Sequence, residues 1–215
     1  MGMAYEEWKG AAGESRIARS LLWTRLFGRK GKVLRNIYIR KEDGTTTEID
    51  VLFLSRKGLF VFESKNYSGR ISGYESERYW AVHYRNGQTY DLYNPIWQNS
   101  NHIKWLRNLL GKILPRIPMF SIVVFSNDCD LREITVDSPD IKVIHRCSVY
   151  WTVRDIWNSV PDRLSKSEVN ELYSILKPMT NVSEDIKKAH IENIRTNYRE
   201  DQGNPVSAVI TKKTK

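Results

Sequence analysis

Residues 49–66 read IDVLFLSRKGLFVFESKN, two apolar runs parted by Arg56-Lys57-Gly58. A pattern of that length and composition, broken by turn residues, folds as a β-hairpin whose strands are largely buried. Charges sit inside it. Asp50, Glu63 and Lys65 fall where an unpaired charge taken out of water costs several kcal/mol, unless something compensates it.

Side chains alternate across a strand, so Glu63 and Lys65 share a face with Leu59 and Val61, while Phe60, Phe62 and Ser64 share the other. A two-residue loop, either Arg56-Lys57 or Lys57-Gly58, brings Asp50 onto the face of Glu63 and Lys65. The first loop sets Asp50 opposite Glu63, the second opposite Lys65; a three-residue loop with Gly58 as a bulge breaks the parity. Two carboxylates side by side repel unless a cation or a shared proton intervenes. A divalent metal resolves this, because Mg²⁺ accepts one or two carboxylates and leaves its other positions to water and phosphate. The competing reading is an Asp50-Lys65-Glu63 salt-bridge cluster at a solvated sheet edge.

The rest of the chain sets this hairpin in an α/β frame. Helical spacing of Trp8, Ile17, Leu21 and Leu22 predicts a helix over residues 3–27, ended by GRKGK. VLRNIYIR (33–40) reads as a strand, and GRISGY and RYWAVHYRNGQTYDL extend the sheet, with Asn86-Gly87 as a two-residue hairpin signal. Asn94-Pro95 opens a helix reaching to about Leu114. FSIVVFS (120–126) and IKVIH (141–145) are short buried strands joined by a polar segment. Helical patterns follow from Tyr150, and a polar, basic tail (DQGNPVSAVITKKTK) is expected to be disordered.

Composition narrows the partners. The 215 residues carry 34 Lys and Arg against 25 Asp and Glu, a net charge of +9 that favours a polyanion such as nucleic acid. Two cysteines, Cys129 and Cys147, and four dispersed histidines suggest neither a disulfide framework nor a zinc site, which fits a cytoplasmic protein. No apolar run reaches the roughly 18 residues of a membrane span, and the acidic N-terminal stretch is unlike a signal peptide, so no membrane association is expected.

An acidic residue on one strand followed by Glu-x-Lys on the next, within helix, strands, helix, strand order, resembles the PD-(D/E)xK nuclease superfamily. The closer resemblance is to the nuclease-related domain (NERD) family. It rests on GESRIA with Gly13 and Glu14, on TEIDVLFLSRKGLFVFESKNYSGRISG from Thr47 to Gly73, and on NPIWQNSNHIKWLRNLL from Asn94 to Leu110. The likeness spans roughly residues 10–126, with FSIVVFS where the family pattern places a strand. Ser64 departs from it by replacing an apolar residue, and His102 stands where some relatives carry Tyr. Gly13 and Gly69 read as structural.

The resemblance implies a restriction-endonuclease-like αβββαβ core with a mixed central sheet flanked by helices, plus a C-terminal helical extension. The expected division is a nuclease domain at 1–148, helices at 149–201 and the tail at 202–215. It carries over roles to Glu14, Asp50, Glu63, Lys65 and Gln98: Asp50 and Glu63, with Glu14, hold Mg²⁺ or Mn²⁺; Lys65 orients or activates the attacking water; Gln98 supports the site. From spacing alone Glu14 is equally a solvated helix glutamate. Arg25, Arg29, Lys30, Lys32 and Arg35 form either a phosphate-contacting ridge or a solvated basic loop. Trp80 reads as core cover, and Trp97, Trp105 and Leu109 as packing. The function expected is metal-dependent hydrolysis of DNA, by an endonuclease rather than an exonuclease. The alternative is a non-catalytic nucleic-acid-binding or protein-interaction module on the same fold, and a third reading is a structural partner of a helicase or ATPase.

Overall fold

A computed structural model describes residues 13–21, 30–111 and 113–203. The first helix, α1, is described over 13–21; the remainder of the expected 3–27 helix, Arg25 and Arg29, and the tail from residue 204 lie outside the described residues. Strands β1 (Gly31–Arg40), β2 (Thr46–Ser55) and β3 (Gly58–Lys65) run in succession. Next come β4 (Gly69–Tyr74), β5 (Tyr79–His83), β6 (Thr89–Tyr93) and helix α2 (Pro95–Leu110). Strands β7 (Met119–Phe125), β8 (Cys129–Thr135) and β9 (Ile141–His145) precede helices α3 (Val149–Ser159), α4 (Lys166–Leu176) and α5 (Glu184–Gly203).

The central sheet has the order β1-β2-β3-β7-β9. Its first three strands are antiparallel, and β7 joins β3, and β9 joins β7, in parallel. It is therefore a mixed sheet, with the Glu-x-Lys strand β3 at its centre. Alternation sorts its side chains into two cores. Leu52, Leu54, Leu59 and Val61 pack with Leu106 and Leu110 of α2 and with Val169, Leu172 and Leu176 of α4. Val51, Phe53, Phe60 and Phe62 pack on the other face with Ile17 and Leu21 of α1 and Val149 and Val153 of α3. Burying each such phenylalanine stabilises the fold by about 1.5–3 kcal/mol. Helices α3 and α4 thus contribute to the same two cores as the strands.

Several expectations change. The segments GRISGY and RYWAVHYRNGQTYDL do not extend the central sheet but build a second one, ordered β6-β5-β4-β8. Its fourth member, β8, lies in the segment read as a polar connection and pairs in parallel with β4. The Asn86-Gly87 turn is longer than two residues. Tyr84 donates its N–H to the Gln88 carbonyl at 2.9 Å, and Gly87 takes the left-handed φ of +83° that closes the three-residue loop between them. Helix α2 stops at Leu110, short of the expected Leu114, and α5 runs through Gly203 into the expected tail. Trp80 is buried against Phe125 and Val123 as expected, and Trp105 and Leu109 pack on the core, whereas Trp97 is 39% exposed with its indole N–H donated to the Glu75 carbonyl.

Candidate active site

The hairpin settles its own register. Ser55 pairs with Gly58 and Val51 with Phe62, so the loop is Arg56-Lys57 and the next pair in the series is Asp50 with Glu63. The ladder stops there. The Asp50 carboxylate takes over, with Oδ2 accepting the Ser64 backbone N–H at 2.7 Å. Ser64 itself faces α1, where a Cβ on Gly13 would come within 2.8 Å of its hydroxyl oxygen. A small residue on the helix and a short one on the strand let α1 approach β3, which brings Glu14 toward the strands.

Glu63 is 1% exposed at the centre of the sheet, so the reading of a solvated edge cluster fails. Its two oxygens are divided between two partners. The Lys65 ammonium donates to Oε1 at 2.7 Å, and His102 Nε2 lies 3.1 Å from Oε2. Facing a carboxylate, Nε2 carries the proton; Nδ1, 2.5 Å from the Thr47 hydroxyl, accepts from it. Lys65 also donates to Gln98 Oε1 at 2.8 Å. Gln98 and His102, one helical turn apart, therefore reach the same strand from α2. Asn94 caps this helix, accepting the Ile96 N–H at 2.9 Å, and the fully buried Asn99 ties it to the sheet by donating to the Val61 carbonyl at 3.0 Å and the Ser121 hydroxyl at 2.9 Å.

The charges divide unevenly. Burial and the neighbouring Glu63 hold the Asp50 carboxyl well above the usual carboxylate range, against the opposing pull of Lys65. Burial also pushes Glu63 up, but Lys65 and His102 outweigh it and leave that carboxyl below its ordinary value. Lys65 is pulled down by burial and lifted further by Glu63 and Tyr67, so it remains an ammonium ion. Without a further cation the site holds an ionised Glu63-Lys65 pair beside a carboxyl that resists ionisation.

Glu14 does not join that pair directly. Its Oε2 accepts from Asn36 Nδ2 at 3.0 Å and lies 3.4 Å from the Arg35 guanidinium, and the same Asn36 amide group reaches Glu48 Oε1 at 3.1 Å. Asn36 has φ +52°, a left-handed backbone that asparagine tolerates better than most residues, at the point of β1 across from Asp50. Burial raises the Glu14 carboxyl despite the Asn36 bond. Of the remaining basic segment, Lys32 lies over the Tyr173 ring at 4.1 Å and Lys30 is exposed.

The donor set, two carboxylate groups with hard oxygen donors side by side, is of a kind that suits a divalent cation. Asp50 and Glu63 are adjacent carboxylates for which the chain supplies too little positive charge, and a divalent ion with water and phosphate as its other ligands would supply the rest. Among the described residues no three His, Cys, Asp or Glu side chains converge to cage a metal, so a site made wholly of protein ligands is absent from them.

Asp50, Gln98 and His102 line a cavity of about 530 Å³. Its other walls are Lys41 and Thr46–Glu48 of the β1–β2 turn and β2, Arg78, Tyr79 and Tyr93 of the second sheet, and His190, Asn193 and Ile194 of α5. His190 Nδ1 lies 3.0 Å from the Thr46 hydroxyl and its Nε2 3.7 Å from Glu48. Sequence reading missed Asn36, Thr47, Glu48, Asn99, Tyr93 and His190 as parts of this site. Asn36 alone left a trace, as a polar poor strand former inside VLRNIYIR.

A central Glu-x-Lys strand, an acidic partner on its neighbour and a supporting helical glutamine define a protein of the PD-(D/E)xK-like nuclease class. The nuclease-related domain family model matches residues 9–126, and the chain belongs to that family. An uncharacterized protein of Bacillus anthracis is 31% identical over 194 residues, covering 89% of this chain and 86% of the relative. No solved structure matches the chain significantly. Domains of this class act on nucleic acid and generally use divalent metals. Among the described residues no helix is long and apolar enough to cross a membrane.

Proposed function

We propose that the chain is a Mg²⁺- or Mn²⁺-dependent endonuclease that hydrolyses DNA phosphodiester bonds in the cytoplasm, with residues 1–148 carrying the chemistry and 149–201 completing its fold. The observation that carries this reading is the pairing of Asp50 and Glu63 on adjacent central strands beside the Lys65 ammonium, with Asp50 opening on a cavity. Asp50 and Glu63 would hold the metal, and Glu14 would serve it through water. The metal, when bound, polarises a phosphoryl oxygen and lowers the pKa of water. Lys65, kept protonated by Glu63, stabilises the charge that grows on the phosphoryl oxygens, acting as an electrostatic contact rather than a base. Gln98 fixes the ammonium group, and His102 orients Glu63.

A non-catalytic binding module on the same fold is the second reading, favoured by the way Lys65 and His102 already satisfy both Glu63 oxygens. Incubation with plasmid, linear duplex and single-stranded DNA separates the two. Cleavage in Mg²⁺ or Mn²⁺ that EDTA abolishes supports the nuclease; salt-sensitive binding with no cleavage in either metal leaves the binding module.

A further inference from the structure

The cavity at Asp50 has two unlike sets of lining residues. One is the reactive set, Asp50, Gln98 and His102. In the other, Tyr79 and Tyr93 meet edge to face, ring centroids 5.9 Å apart, and the Arg78 guanidinium lies 5.7 Å from the Tyr79 ring. Tyr93 is 38% exposed, although both tyrosines sit on strands whose buried neighbours Trp80 and Leu92 already fill the core beneath. Core packing therefore leaves the Tyr93 ring at the cavity, beside Tyr79 in its lining. Lys41 adds a second cation to the wall, and Asn101 and Asn193 add amides.

Aromatic rings beside cations in a groove bind nucleic acid by stacking on base faces and tracking phosphates, which requires bases free of a duplex stack. Size points the same way. At about 530 Å³ the cavity lies within the range of pockets that enclose a small molecule, roughly 300–1,000 Å³. Helix α5 and the second sheet both contribute to its lining, so bases must leave a helix to enter it, as in enzymes that act on unstacked nucleotides.

We infer that this cavity takes an unpaired polynucleotide strand, with a base stacked at the Tyr79–Tyr93 pair and the adjoining backbone led toward Asp50. The inference rests on the nuclease reading for its direction, since it makes the strand the substrate of the same site. A cavity of this size admits about one or two bases and not an intact duplex.

The test is binding of the full chain, in EDTA so that nothing is cut, to a short labelled oligothymidylate, its RNA counterpart and a blunt duplex of equal length. An unpaired strand of either sugar should bind at least about tenfold more tightly than the duplex, and Tyr93→Ala should remove about tenfold of that affinity while Tyr93→Phe keeps it. Both variants should melt close to the wild type, because the Tyr93 side chain lies at the surface. Duplex binding as tight as the single strand, or an unpaired-strand affinity unchanged by Tyr93→Ala, overturns the inference. Strand preference without metal-dependent cleavage would remove the nuclease reading and keep this one. Equal cleavage of duplex and single strand would do the reverse.

Discussion

The Lys65 ammonium and the Gln98 carboxamide are joined by a 2.8 Å hydrogen bond that links the central strand β3 to helix α2. The lysine thereby has a fixed address between Glu63 and Gln98, and it is held there as a cation. A side chain with four rotatable bonds loses rotamer freedom at such a site, which two charge-assisted bonds offset.

Lys65→Ala should therefore leave DNA binding nearly unchanged and reduce cleavage at least about a hundredfold, the loss typical of a removed transition-state contact. Rates measured at saturating DNA check this. Wild-type turnover in the variant would remove Lys65 from the chemistry.

Asp50→Asn should melt in EDTA at the same temperature as the wild type or higher. The substitution removes a carboxyl whose ionisation burial and Glu63 oppose, an amide oxygen can still accept the Ser64 N–H, and Lys65 keeps Glu63 as its partner. Mg²⁺ should raise the melting temperature of the wild type alone, since binding at a hundredfold excess over Kd stabilises the native state by about 2.7 kcal/mol. A destabilised variant together with a wild type indifferent to metal would leave Asp50, Lys65 and Glu63 as a structural ion cluster.

His102→Ala should raise the Mg²⁺ concentration needed for half-maximal cleavage about tenfold or more, as removal of a group that orients a metal ligand commonly does. His102→Gln, able to donate to Glu63, should recover part of it. Titrating metal at fixed DNA distinguishes this from a general loss of fold, which would lower the maximal rate of both variants without moving the midpoint.

The docking of α5 should weaken in acid. Burial lowers the His190 pKa, against the pull of Glu48 and the Thr46 carbonyl, with His102 and Lys41 adding to the lowering. Tyr38 packs edge-on against the ring. A histidine whose folded pKa is depressed contributes fully above the unfolded value of about 6.5 and loses that contribution as pH falls through the folded value. The difference in melting temperature between wild type and His190→Asn should therefore be larger at pH 7.5 than at pH 5.5. A constant difference would show that the ring does not titrate against the fold.

What could be read in the chain before its structure was the part governed by alternation. Two-residue periodicity puts Glu63 and Lys65 on one face, and a two-residue loop adds Asp50 to it; the choice of that loop over a three-residue bulge came from the observed register. Helical phase likewise puts Gln98 and His102 on one face, and Asn94-Pro95 announces where that helix begins. Sheet membership was not legible, because β4 to β6 alternate much as the central strands do. Their separation depends on β4 pairing with β8 some sixty residues away, inside a polar stretch whose strand buries only Cys129 and carries little periodic signal. The polar support was hidden for a related reason. Asn36 acts through a left-handed backbone and Thr47 through a histidine on another element, and neither relation leaves a local pattern.

Thr46 and His190, which meet at the cavity wall, are 144 residues apart in the chain. During synthesis Asp50, Glu63, Lys65 and Gln98 all leave the ribosome well before that wall exists. Helix α5 is the last made of the elements that line the cavity, so until it has been synthesised the part of the wall carried by His190, Asn193 and Ile194 is missing.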